Sequence, residues 1–71
     1  MEYPFYAEQT YRLNDGIVQA RVLTAQKAEA LGYEDGYTAQ RPEGRLYVDG
    51  FDSEMDARRH LADLTDCHII N

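Results

Sequence analysis

Residues 44–64, GRLYVDGFDSEMDARRHLADL, read as a strand, a tight corner and a capped helix. Leu46 and Val48 alternate with Arg45, Tyr47 and Asp49, the period of a half-buried strand. Gly50 interrupts the run, since glycine packs poorly in a strand and permits a bend. Ser53 suits an N-cap, its hydroxyl accepting from a backbone N–H of the first turn. Asp56, three residues on, sets a carboxylate beside the remaining orphan donors. Helix-compatible residues continue from Glu54 to Leu64. Ala57, Leu61 and Leu64 share one stripe at helical spacing, widened by Met55 and Ala62, while Asp56, Arg59, His60 and Asp63 take the opposite face. Strand and helix each offer one apolar face, and each is expected to bury it against the other.

Upstream, Phe5, Ala7, Tyr11 and Leu13 alternate with Glu8, Thr10 and Arg12, with Gln9 as a polar exception on the apolar side. This predicts a strand. Asn14-Asp15-Gly16 is a turn signal, because these residues tolerate positive φ. Ile17 to Leu23 resumes the alternation; a helix is the rival reading, and the β-branched residues favour the strand. Thr24 caps a helix over 25–31, with Gly32 at its C′ position and Tyr33 able to pack back on the last turn. Glu34-Asp35-Gly36 is a turn, Tyr37 to Arg41 a third strand, and Arg41-Pro42-Glu43-Gly44 a tight turn. Cys67 to Ile70 reads as a fifth strand or an ordered tail. Residues 1–4 are expected to be loose around Pro4. Each half of the chain has a strand, a glycine turn, a strand and a capped helix, an architectural echo with few shared residue identities. The expected fold is a single α+β domain over 1–71, ordered ββαββα with a possible short C-terminal strand. Two layers are expected: an antiparallel sheet of four or five strands with both helices on one face, its other face partly wet.

The chain has 71 residues and a net charge of −6, from 7 basic and 13 acidic side chains. A chain this small buries only about 60% of its unfolded surface, so its core leaves a thin margin. The single cysteine, Cys67, excludes an internal disulfide and fits a reducing compartment. No apolar run is long enough to span a membrane and no signal-peptide pattern opens the chain, so a cytoplasmic protein is expected. The negative charge argues against direct binding of nucleic acid or an anionic membrane, and suits a basic partner.

No catalytic, metal or nucleotide motif stands out, and neither enzyme activity nor a cofactor is expected. His60, Asp63, Asp66, Cys67 and His68 are metal-ligand types, but no paired spacing appears, and adjacent residues on a strand point apart. The same geometry speaks against a Cys67–His68 nucleophile pair. A pocket of about 300 Å³ or more is not expected in so small a domain.

The candidate contact residues are Tyr33, Glu34, Asp35 and Tyr37 in one loop, and Asp49, Asp52, Glu54 and Asp56 around the corner. A helix macrodipole accounts for acids at 54 and 56, and tolerably for Asp52, but not for Asp49. Tyrosines beside acids in a loop bring contact area at low entropic cost; packing inward is the competing reading. The expected function is a non-enzymatic module that presents an acidic, tyrosine-containing surface to a basic protein, such as a nucleic-acid-binding protein or complex. In size, charge and plainness the chain is similar to phage-encoded inhibitors of host defence, including anti-CRISPR proteins, with no motif in common. The alternative is a small nucleic-acid-binding or regulatory domain using its sheet face, for which Arg12, Arg21, Arg41 and Arg45 are the available cations.

Overall fold

The structure is a computed structural model and describes residues 2–70. Its elements run β1 (Phe5–Arg12), β2 (Val18–Thr24), α1 (Ala25–Ala30), β3 (Thr38–Arg41), β4 (Gly44–Phe51), α2 (Glu54–Ala62) and β5 (Cys67–Ile69). The α+β class and the ββαββα order with a short C-terminal strand are therefore as expected. The strands form one sheet in the order β3-β4-β1-β2-β5. β1 sits at its centre, antiparallel to both β2 and β4. β5 joins β2 in parallel, so the sheet is mixed and not wholly antiparallel. The reason is topological: β5 returns from the far end of α2 and reaches the β2 edge already running in the β2 direction.

The helices also differ from expectation. They lie on opposite faces of the sheet, not on one. Neighbouring residues on a strand point to opposite faces. Tyr6, Leu23, Leu46 and Val48 share one face and cluster with Ala28 of α1 and with Tyr33. Ala7, Ala20 and Val22 share the other and cluster with Ala57 and Leu61 of α2. The strands carry apolar side chains on both faces, and two short helices are needed to cover them. Leu46 and Val48 thus pack beneath α1, while α2 seats itself on β1 and β2. Of the expected core, Val18, Val22, Leu46, Val48 and Leu61 are buried, and Leu64 is half-buried. Met55, expected to widen the buried stripe, is 67% exposed.

Local chemistry fixes the ends of both helices. The Thr24 hydroxyl accepts from Lys27 N, and the Ser53 hydroxyl from Asp56 N, as N-caps do. α1 closes in a Schellman motif: Tyr33 N donates to Ala28 O and Gly32 N to Glu29 O. Gly32 has φ +77°, a conformation glycine adopts without strain. The motif delivers Tyr33 straight into the core.

Gly50 does not break β4. It pairs with Tyr6 inside the strand, and the ring of Tyr3 lies where its side chain would be. Met1, the first of the residues expected to be loose, lies outside the described residues. Tyr3 packs edge-on against Tyr6 at 6.2 Å, and Pro4 O accepts from Ala25 N at 2.9 Å.

Candidate functional site

The register gives the molecule two ends. Phe5, Thr24 and Phe51 lie level at one, and Arg12 and Gly44 at the other. The first end gathers carboxylates. Glu2, Glu34 and Asp35 converge with the buried Tyr6 on a recess of about 330 Å³. Glu34 and Asp35 come from the loop after the α1 cap. Backbone bonds on both sides of Val48 hold that loop: Gly36 N donates to Val48 O, and Val48 N to Tyr37 O. Asp35 fixes it further, its Oδ1 accepting from Gly50 N at 2.9 Å. The charge of Asp35, then burial, then the charges of Glu2 and Asp52 push the Tyr3 phenol above its ordinary range. Asp35, Glu2 and Asp52 therefore all act on the Tyr3 ring.

The sequence candidates divide accordingly. Glu34, Asp35 and Asp52 belong to this acidic end. Tyr33 does not present itself to a partner. It is 5% exposed, and its hydroxyl donates to Glu8 Oε2 at 2.5 Å. Tyr37 is half-buried, its ring 5.3 Å from that of Tyr33. Glu54 pairs with Arg58 at 2.9 Å, and Asp56 stands exposed in the first turn of α2. Asp49 points to the sheet face that α2 covers. It accepts from Gln9 Nε2 at 3.0 Å and lies 4.0 Å from His60 Nε2. That contact accounts for the carboxylate the helix dipole left unexplained.

Glu2 and Tyr3 were not foreseen as part of the site. The available signal was Gly50: a glycine inside an unbroken strand marks a close approach by another group. Two further concavities were also unexpected. α2 ends at Ala62, and beyond it the sheet lies open in a groove of about 560 Å³ lined by Tyr11, Arg45, Tyr47, His60 and Leu64 among others. On the opposite face, Glu8, Arg21, Tyr33 and Arg41 line a smaller hollow of about 250 Å³. The expectation of no room for such a volume thus fails, because the short helices leave parts of both sheet faces uncovered.

Glu8 holds that hollow together. Arg21 grips its carboxylate with Nε at 2.6 Å and Nη2 at 3.2 Å. Burial alone would raise the Glu8 pKa. The bonds from Arg21 and Tyr33, and the charges of Arg21 and Arg41, outweigh it and leave the carboxyl below its ordinary range. Burial, then the bond to Glu8, raises the Tyr33 phenol. Arrangements of this type lock neighbouring elements together.

Among the described residues no group of three or more His, Cys, Asp or Glu is placed to hold a metal ion. Among the described residues no helix is long and apolar enough to cross a membrane. No protein-family model, curated protein or solved structure matches the chain.

Proposed function

We propose that this protein is a non-enzymatic binding module whose acidic end receives a cationic side chain from a basic protein surface. The carrying observation is the recess of Glu2, Glu34 and Asp35, in which no described residue is a cation. Lysine and arginine pair with carboxylates, and a guanidinium suits a concave set of them because its donors fan out in one plane. Asp52 adds charge from outside. The partner's basic surface is of the kind that binds nucleic acid, so occupation by this module blocks that binding, in the manner of small phage-type inhibitors of host defence complexes.

The alternative of a sheet-face nucleic-acid binder finds less support. Arg12 is paired with Asp15 at 3.1 Å, and Arg21 with Glu8. Arg41 and Arg45 stand on opposite faces of the sheet, so no basic stripe forms.

A tetra-arginine peptide tests the reading. Titrated against the labelled protein, it is expected to shift the amides of residues 2–3, 34–36 and 50–52. The double variant Glu34→Lys, Asp52→Lys should lose those shifts. Shifts spread evenly over the surface, or an unchanged response in the variant, would overturn it.

A further inference from the structure

The open groove at the far end carries the opposite message from the recess. Its lining holds two arginines, Arg12 and Arg45, and one carboxylate, Asp49. The charged residues described in the recess lining are all acids, and the Glu8 hollow balances Arg21 and Arg41 against Glu8 and Glu43. Of the three, only the groove has more cations than carboxylates. The Arg12 charge is taken by Asp15. Arg45 has no carboxylate within ion-pair distance among the described residues; it lies 5.9 Å over the Tyr47 ring. Tyr47 in turn meets Tyr11 edge-to-face at 5.3 Å, and Leu64 closes the apolar side. Rings set at 85° make a corner, which suits a bulky side chain better than a stacked base. The groove therefore selects an apolar side chain flanked by carboxylate.

The chain carries such a segment itself. Met55 is 67% exposed at the start of α2, and Glu54 and Asp56 stand on either side of it. Met55 belongs to neither core cluster. An exposed methionine is adaptable and fills irregular apolar surface well. We propose that the Tyr11–Tyr47–Arg45 groove of one chain receives Met55 of a second copy, with Asp56 of that copy meeting Arg45. Two chains of net charge −6 repel each other through their acidic ends. Arg45, unpaired in the groove among the described residues, is where the acidic helix start of another copy can approach. Groove and knob are different surfaces, so the contact is head-to-tail and leaves a free groove at one end and a free knob at the other. The inference does not depend on the cationic-ligand reading, since it uses none of the residues that line the recess.

The test exploits that asymmetry. Sedimentation of the wild type from micromolar to millimolar concentration should show association that grows with concentration. Arg45→Glu spoils the groove and leaves the knob; Met55→Glu does the reverse. Both positions are exposed, and unchanged circular dichroism would establish that both variants fold. Each variant alone should associate about tenfold or more weakly, the loss expected of an interface anchor. Mixed together, they should form a one-to-one dimer of near wild-type affinity, because one good groove and one good knob remain. A wild type that stays monomeric throughout overturns the proposal. So does association that both variants leave intact, or a mixture that fails to pair.

Discussion

Glu8 shows how one side chain ties the α1 face of the sheet together. Arg21 of β2 and Tyr33 from beyond α1 both donate to it, so a single carboxylate joins three segments. Hydrogen bonds to a charged group contribute about 1.5–3 kcal/mol each, and a partly buried partner left unpaired is costly. Glu8→Gln is therefore expected to lower stability by about 1–3 kcal/mol at neutral pH. The pH dependence follows from the sign of the shift. The carboxyl lies below its ordinary range in the native state, so its contribution is full above the unfolded value of about 4.3 and is lost as pH falls through the lowered native value. Urea midpoints should therefore separate wild type from Glu8→Gln at neutral pH and converge below pH about 4. Parallel curves across that range would remove Glu8 from the account. The roles of Glu8 and Arg21 were not legible in the sequence, where both sit on the polar side of their strands. A register is needed to set them opposite each other, and that register comes from the fold.

Both helices, both caps and the turns were legible, because caps and glycine turns are local chemistry. The placement of the helices was not. Alternation in β1 directs attention to Ala7 and Tyr11 and away from Tyr6, which is 1% exposed and among the largest fully buried side chains. Leu23 does the same in β2, on the face opposite Val18, Ala20 and Val22. These two residues give each strand a second apolar face, which asks for a second covering layer. α2 supplies one layer chiefly through Ala57 and Leu61. Leu61→Ala should cost about 2–5 kcal/mol, a large share of what a domain this small has. A thermal midpoint unchanged by that substitution would place Leu61 outside the core. On the other face, Gly50→Ala drives a methyl into the Tyr3 ring and should cost about 1–3 kcal/mol through overpacking. In the Tyr3→Ala background the same change should be nearly neutral. A double-mutant cycle without coupling would mean that Tyr3 does not rest on Gly50.

The molecule is 33 Å long, and its one end gathers acids without a described cation among them in the recess. Glu2, Glu34, Asp35 and Asp52 collect at the end where β1 begins, while at the other Arg12 and Arg45 stand among Asp15 and Glu43. A uniform −6 would merely keep the chain soluble. A concentrated set of acids steers an approaching basic surface, and steering is a long-range effect weakened by salt. The inward turn of Tyr33 removes one of the two tyrosine anchors that the loop sequence offers, Tyr37 being half-buried, and on the proposed reading recognition then rests chiefly on the acids of the recess. Against a basic protein partner, charge reversal at Glu34 and Asp52 should then slow association by about tenfold or more at low ionic strength and flatten its dependence on salt. Asp49 supplies the control. It is a carboxylate of the same corner, but it serves Gln9 and His60 on the α2 face. Asp49→Asn should change stability while leaving the association rate and its salt slope as they were. If stopped-flow measurements instead showed Asp49→Asn slowing association as much as the Glu34 and Asp52 reversals, net charge alone would govern the encounter, and the recess would have no special claim on the partner.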